Sequence, residues 1–256
     1  MYISIDNLNI YYQKYGTKKQ TILILPGWGD TRKTFDYLIN YLQDFFTIYI
    51  LDYPSFGNSS FIDEDLTIFD YANLINNFIN KLNIINPILI GHSFGGRIIS
   101  LLTTNYNTKF KKIVLIDVAG IKSKINLKVS IKQLIYKILK KIKFILPNKL
   151  RQKYLNYLFN KFSSSDYKLL NQKMYKTFQN IIKEDLTHYY QKIKLETLII
   201  WGEFDNITPV TDGIKLNKII KNSSLIKITN TKHFPYLEKK YLVSRIIFEY
   251  LKKDII

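Results

Sequence analysis

The chain has 256 residues, of which 46% are hydrophobic and 23% charged, proportions that suit a globular core and exclude extensive disorder. It contains no cysteine, which excludes disulfides, thiolate zinc sites and cysteine nucleophiles. The 38 Lys and Arg residues against 20 Asp and Glu give a net charge of +18, but no zinc-finger, RRM or KH signature accompanies it, so we expect no nucleic-acid partner.

Apolar strands and amphipathic helices alternate along the first part of the chain. Short strands bounded by turn residues, followed by segments with helical spacing, predict an α/β fold with a mainly parallel sheet that is covered on both faces. In chain order the predicted elements are strands Met1–Ile5, Leu8–Tyr15 and Thr21–Leu25, helix Thr34–Leu42, strand Phe46–Leu51, helix Phe69–Leu82, strand Pro87–Ile90, helix Gly95–Thr104 and strand Lys112–Ile116.

The pattern changes after residue 117 and returns near residue 191. Between Val118 and Tyr190 the spacing of apolar residues is helical throughout. Strand and helix patterns then resume at Leu195–Trp201, Val210–Ile220, Ser224–Ile228 and Lys239–Lys252. We therefore predict one core domain formed by residues 1–117 and 191–256, with a helical cap inserted at 118–190.

A Gly-x-Ser-x-Gly motif lies between a predicted buried strand and a predicted helix, at Gly91-His92-Ser93-Phe94-Gly95. A sharp strand-to-helix turn strains the central residue and pushes its side chain out above the sheet. The two glycines leave room where side chains would collide with the neighbouring strand and helix. In this context the motif predicts that Ser93 is a nucleophile.

A serine hydroxyl needs a base, and the chain offers His92, His188 and His233. His92 is next to the serine on a tight turn, where its side chain is expected to point elsewhere. His188 lies in the helical insertion, where a surface or packing role is expected. His233 follows the last predicted strand, at the sheet edge where open α/β sheets build their sites, so we predict that His233 is the base.

The base needs an acid to orient it and to stabilise its charged form. Asp205 lies in the loop after the predicted strand Leu195–Trp201 and is our first choice. Asp117, which ends the preceding predicted strand, is the second alternative, and Glu203 is the third.

The loop after the predicted strand Thr21–Leu25 is rich in glycine, so its backbone can approach a ligand. We expect the backbone N–H groups of Trp28 and Phe94, one from each loop, to form an oxyanion hole. The side chain of Trp28 is expected to form part of a pocket wall.

These motifs resemble those of the α/β-hydrolase superfamily, and the resemblance covers essentially the whole chain. The order serine, acid, histidine is the order of that family. Pro26 stands where the family usually has histidine, and Ser55 stands where it usually has glycine. The matching segments are Leu25-Pro26-Gly27-Trp28-Gly29, Leu51-Asp52-Tyr53-Pro54-Ser55-Phe56-Gly57-Asn58-Ser59, Gly91-His92-Ser93-Phe94-Gly95-Gly96, Trp201-Gly202-Glu203-Phe204-Asp205 and Lys232-His233-Phe234.

A serine nucleophile with an oxyanion hole favours hydrolysis of a small carboxylic ester or thioester through an acyl-enzyme. The resemblance also leaves open carbon–carbon bond hydrolysis with the same triad, or a non-catalytic binding protein of the same fold. We expect a small-molecule substrate with no cofactor and no metal, because the few histidines have no carboxylates at ligand spacing.

The segment from Val118 to Ser165 contains twelve Lys or Arg residues and no Asp or Glu. Apolar residues at helical spacing from Ile131 to Ile145 predict a cap helix with a solvated basic face. A second hypothesis is weak contact of this face with an anionic membrane surface. The chain shows no signal-peptide pattern and no run of about 18 apolar residues, so we expect a cytoplasmic protein.

Overall fold

The computed structural model describes residues 1–121, 150–151, 153–154 and 174–255. A 3₁₀ turn at Arg32–Phe35 precedes the first α-helix, and another, Lys252–Asp254, follows the last. The strands are β1 Tyr2–Ile5, β2 Leu8–Tyr15, β3 Thr21–Leu25, β4 Thr47–Leu51, β5 Ile88–His92, β6 Ile113–Ile116, β7 Thr197–Gly202 and β8 Ser223–Ile228. The α-helices are α1 Asp36–Leu42, α2 Ile68–Lys81, α3 Phe94–Asn105, α4 Tyr175–Lys183, α5 Thr187–Lys192, α6 Val210–Ile219, α7 Pro235–Glu238 and α8 Lys240–Leu251.

An antiparallel hairpin forms one edge of the sheet. Asp6 and Asn7 occupy the turn with φ angles of 48° and 65°, the left-handed conformations that a two-residue hairpin turn requires. This turn sets the register of β1 on β2, in which Ile5 pairs with Leu8.

The eight strands form one sheet in the order β1-β2-β4-β3-β5-β6-β7-β8. All neighbours from β4 to β8 pair in parallel, which confirms the predicted mainly parallel sheet. Successive residues of the central strands face opposite sides and fill two separate cores. Leu23 and Leu89, for example, pack in one core, and Ile22 and Ile88 pack in the other. Apolar runs are needed here because helices cover both faces.

Parallel strands direct their carboxyl ends to one edge of the sheet, and four loops meet there. They follow β3, β5, β7 and β8, and they carry Trp28, Ser93, Asp205 and His233 respectively. The order of the strands therefore places residues that are far apart in the chain on one side of the sheet.

The predicted insertion lies largely outside the described residues, including the basic segment and its apolar stripe from Ile131 to Ile145. In its described C-terminal part, Leu186 and Tyr190 pack in the same buried cluster as Leu23 and Leu89 of the sheet. The N–H of Leu186 donates to the carbonyl of Gly120 over 2.8 Å, and the Tyr190 hydroxyl donates to the carbonyl of Ala119 over 2.8 Å. Within the residues that the structure describes, no helix combines the length and the apolar character needed to cross a bilayer.

Candidate active site

Ser93 forms the turn between β5 and α3 in a strained backbone conformation, with φ 46° and ψ −107°. A Cβ atom added at Gly95 would lie 1.9 Å from the Leu25 carbonyl oxygen, and one added at Gly91 would lie 2.5 Å from the Ile99 side chain. The sharp turn therefore requires both glycines. The Ser93 hydroxyl does not cap α3, and the side chain is half-buried. Strain of this kind presents a side chain for chemistry rather than for packing.

Two backbone hydrogen bonds hold this turn to the neighbouring strand. The Ser93 N–H donates to the carbonyl of Ile116 over 3.1 Å, and the Ala119 N–H donates to the carbonyl of Ser93 over 3.0 Å. The position of the serine is thus tied to the loop after β6.

Asp205 and His233 form a buried pair, with 2.7 Å between Asp205 Oδ2 and His233 Nδ1. The Thr208 hydroxyl donates to Asp205 Oδ2 over 2.6 Å, and the N–H groups of Ile207 and Thr208 donate to Oδ1. Burial alone would raise the pKa of Asp205. The hydrogen bond and charge of His233, together with these other donors, outweigh burial and hold the pKa of Asp205 below its usual value.

The other two candidate acids have different surroundings. Glu203 accepts a hydrogen bond from the N–H of Asn230 over 2.9 Å and is exposed, so it ties the turn after β8. Asp117 is fully buried, and its Oδ1 accepts from the N–H of Gly202 over 2.9 Å. The structure therefore pairs Asp205, the first choice from the sequence, with His233.

Asp117, Asp205 and His233 also form a cluster of potential metal ligands, with donor atoms within 4.8 Å of one another. Asp205 Oδ2 is already bonded to His233 Nδ1 and Asp117 Oδ1 to the N–H of Gly202, so in the described part of the chain Asp117 Oδ2 alone of these oxygens is without a partner. The geometry favours a hydrogen-bonded acid–base cluster over a cation site.

His92, the residue before Ser93 in the chain, contacts His233. The imidazole ring of His92 lies 4.8 Å from that of His233, and His92 Nε2 lies 2.9 Å from the carbonyl oxygen of His233. Within the described residues, no hydrogen bond joins the Ser93 hydroxyl to His233. A bond between nucleophile and base is commonly long without substrate and tightens when substrate binds.

His92 is buried, and its ring also lies 5.0 Å from that of Tyr236. Burial lowers the pKa of His92, while Asp30, 3.5 Å from Nδ1, acts in the opposite direction. His188 is exposed, with its ring 3.9 Å from that of Tyr189.

The two backbone N–H groups predicted for an oxyanion hole are those of Trp28 and Phe94. Phe94 is the first residue of α3, where N–H groups lack partners within the helix and the helix dipole favours negative charge. In the described part of the chain, no backbone hydrogen bond outside the helices and strands uses the N–H of Trp28 or of Phe94. Their rings pack 5.1 Å apart, which brings the two loops together.

A cavity of about 220 Å³ opens at Ser93. Apolar side chains form much of its wall, and Thr208 links this wall to the acid–base pair through a 3.3 Å contact with His233 Nδ1. The described lining residues are Trp28, Ser93, Phe94, Arg97, Ala119, Gly120, Ile121, Phe178, Ile181, Ile182, Ile207, Thr208 and Asp212.

Sequence reasoning missed the structural roles of Arg97 and Thr208. The buried Arg97 lies one helical turn after Ser93 on α3, and its Nη1 donates to the carbonyls of Ile181 (2.9 Å) and Glu184 (3.1 Å). It thereby fixes the end of α4, which carries part of the cavity wall, and burial lowers the pKa of Arg97. The spacing of Ser93 and Arg97 on one helix face was a signal that could have been read. Thr208 gave no comparable signal, because its partners are set by the fold.

Comparisons with known proteins agree with this architecture. A family model described as alpha/beta hydrolase fold matches residues 20–142. The chain is 27% identical over 263 residues to the pimeloyl-[acyl-carrier protein] methyl ester esterase of Wigglesworthia glossinidia brevipalpis, covering 95% of this chain and 98% of that protein. It is 25% identical over 271 residues to the 2-hydroxy-6-oxononadienedioate/2-hydroxy-6-oxononatrienedioate hydrolase 1 of Pseudomonas putida, covering 96% and 92%.

Among solved structures, the α/β hydrolase MGS-M2 from a deep-sea metagenome library of the Medee basin superimposes with a TM-score of 0.77. The alignment covers 98% of this chain and 97% of that one at 22% identity. This similarity extends the shared fold over nearly the whole chain.

Proposed function

We propose that this chain, which has the α/β-hydrolase fold, is a serine hydrolase of that superfamily and cleaves a small carboxylic ester or thioester. Ser93 is the nucleophile, His233 the general base and Asp205 the acid that orients the base. The backbone N–H groups of Trp28 and Phe94 form the oxyanion hole. The observation that carries the proposal is the 2.7 Å Asp205–His233 pair beside a strained serine turn that opens into a cavity.

The reaction proceeds in two steps. His233 takes the proton of the Ser93 hydroxyl as Oγ attacks the substrate carbonyl, and the two N–H groups stabilise the oxyanion. His233 then returns the proton to the leaving alcohol or thiol, which departs and leaves an acyl-enzyme. Water attacks the acyl group by the same route, releasing the carboxylic acid and restoring Ser93.

The nature of the cavity wall supports an acyl group with apolar character. Trp28, Phe178 and Ile182 line the cavity beside Ser93, so burying a hydrocarbon chain there is favourable. A volume of about 220 Å³ is smaller than the pockets of about 300 Å³ and more that take drug-sized ligands, which favours a small acyl group.

Carbon–carbon bond hydrolysis with the same triad is the second candidate. It is favoured by the similarity to a relative named as a hydrolase of 2-hydroxy-6-oxo dienedioates and trienedioates. In that reaction the substrate is a vinylogous ketone and the leaving group is carbon, so a panel of substrates separates it from ester hydrolysis.

A fluorophosphonate probe tests the proposal. An activated serine displaces fluoride and keeps the phosphonyl group, so we expect labelling at Ser93, located by peptide mass spectrometry, and none in Ser93→Ala. Ser100→Ala, on the same helix but fully buried, is the matched control and should label normally. Absence of labelling in the folded wild-type protein would favour a non-catalytic binding protein and overturn both enzymatic candidates.

The substrate panel follows the labelling. It contains nitrophenyl esters and thioesters of increasing acyl length, the methyl ester of a dicarboxylic acid, and a 2-hydroxy-6-oxo dienoate. Turnover of the esters alone supports the proposal. Turnover of the dienoate alone, with labelling at Ser93, replaces ester hydrolysis by the second candidate.

A further inference from the structure

A second carboxyl group lies buried behind the Asp205–His233 pair. Asp117 follows β6 with φ 43° and no exposed surface. Its carboxyl oxygen lies within 4.8 Å of the ligand atoms of Asp205 and His233. A mechanism that uses Ser93, His233 and Asp205 gives this group no task. Two buried carboxylates at this distance repel each other strongly, so one of them is expected to carry a proton.

The hydrogen-bond partners of the two groups indicate which of them carries the proton. Asp205 accepts from two backbone N–H groups, the Thr208 hydroxyl and His233, so donors surround its charge. Asp117 Oδ1 accepts from the N–H of Gly202, whereas the buried Oδ2 has no donor in the described part of the chain. A carboxylate oxygen left in this state is costly, but a protonated oxygen becomes a donor to its neighbour.

We propose that Asp117 is a positioning residue, a neutral carboxylic acid whose Oδ2 donates a hydrogen bond to the carboxylate of Asp205 and holds Asp205 against His233. This inference rests on the function proposed above for the Asp205–His233 pair. It also explains how Asp117 can lie beside Asp205 without adding a second negative charge to the site.

The surroundings keep the proton on Asp117. Burial is the main factor that raises the pKa of Asp117 far above its usual range, and the nearby negative charges of Asp205 and Glu238 act in the same direction. One backbone N–H opposes them. Among the described residues, the titratable groups facing Asp117 are Asp205 and His233 from the loops after β7 and β8, and Tyr236 and Glu238 from α7.

Thermal unfolding of Asp117→Asn tests the protonation state without using catalysis. Folded wild type keeps a proton on Asp117 that the unfolded chain releases above about pH 4, so wild type loses stability relative to D117N as pH rises. We expect the Tm of D117N minus that of wild type to grow between pH 5 and pH 9 by about 4 °C or more. A difference that is constant with pH, or that shrinks, would overturn the proposal.

Kinetics test the positioning role. Asparagine can donate from its amide to Asp205, whereas alanine cannot, so we expect D117A to lower kcat by about tenfold to a hundredfold with little change in KM. D117N should restore most of that loss and leave the acid limb of the pH–rate profile in place. Glu203→Gln, which alters an exposed carboxylate in the same region, is the matched control.

Two kinetic results for D117N would contradict the proposal. If D117N moves the acid limb to lower pH by about half a unit or more, or loses as much activity as D117A, Asp117 is ionised and the proposal fails. If Ser93 does not label with the fluorophosphonate, the proposed function fails while the unfolding experiment still decides the state of Asp117.

Discussion

The two sides of Ser93 are built from different chemistry. On one side, Asp205, His233 and Thr208 are linked by hydrogen bonds of 2.6 to 3.3 Å within a buried polar cluster. On the other side, Trp28 contacts the rings of Phe94 and Phe178 at centroid distances of 5.1 and 5.4 Å. The polar side fixes atoms through directional bonds, whereas the aromatic side excludes water and defines volume.

This difference implies different tolerance to substitution. A hydrogen-bonded cluster in a low-dielectric interior loses its function when one donor or acceptor changes, even if shape is preserved. An apolar wall loses contact area in proportion to the atoms removed. Isosteric changes on the polar side should therefore cost more activity than truncations on the aromatic side.

The largest effect is expected at the point where the two sides meet. Ser93→Ala removes the nucleophile and should lower kcat on nitrophenyl esters by about 10⁶-fold, as the loss of an activated serine does elsewhere. Unchanged thermal stability would show that the loss is chemical. A mutant that keeps a tenth of wild-type kcat would exclude Ser93 as the nucleophile.

The next effect belongs to the polar side. Asp205→Asn keeps the shape of the side chain but removes the charge that orients and stabilises His233, so kcat should fall by about 10⁴-fold. Steady-state kinetics should show Glu203→Gln within about twofold of wild type, because Glu203 bonds only the turn after β8. If E203Q were the more damaged variant, the acid would be misassigned.

A smaller and graded effect is expected on the aromatic side. Phe178→Ala removes part of the cavity wall and should raise KM for longer acyl esters by about tenfold, with kcat less affected. Phe61→Ala, which alters an aromatic residue outside the cavity lining, serves as the control. A loss in kcat that is equal for short and long esters would argue that Phe178 positions the catalytic groups and does not bind the acyl chain.

The smallest effect is expected in the loop that carries Ser55 and Phe56. The ring of Phe56 packs on that of Trp28 with 4.8 Å between their centroids. Ser55 lies in this loop with φ 70°, at the position where the family usually has glycine. Its hydroxyl accepts from the N–H of Ile62 over 3.0 Å, so Ser55→Ala loses this bond and keeps the strain. Ser55→Gly relieves the strain, and denaturant unfolding should find it more stable than Ser55→Ala by about 1 kcal/mol. Equal stability would mean that the φ angle carries no cost here.

Much of the fold could be predicted from the sequence because its elements have strong local signals. The alternation of buried strands with helices, the turn at Asp6 and Asn7, and the bounds of β2 and β3 all follow from short-range patterns. The short helix Pro235–Glu238 was not predicted, since four residues carry too little periodicity to be recognised.

The acid could not be chosen from the sequence with the same ease. All three candidate acids follow strands that end at one edge of the sheet, so the sequence alone places each of them within reach of His233: Asp205, Glu203 and Asp117. Only the contacts of their side chains separate them. Glu203 bonds the loop after β8, Asp205 bonds His233, and Asp117 lies within 4.8 Å of the ligand atoms of Asp205 and His233.

The sequence by itself determined the parallel α/β core, the serine turn with its two glycines and the histidine after the last strand, because each depends on backbone geometry that neighbouring residues impose. Only the tertiary structure decided the partners that come from distant segments: Thr208 on Asp205, Arg97 on the end of α4, His92 on the carbonyl of His233 and Asp117 behind the pair. These contacts depend on side-chain directions and burial across strands far apart in the chain, and no local pattern encodes them.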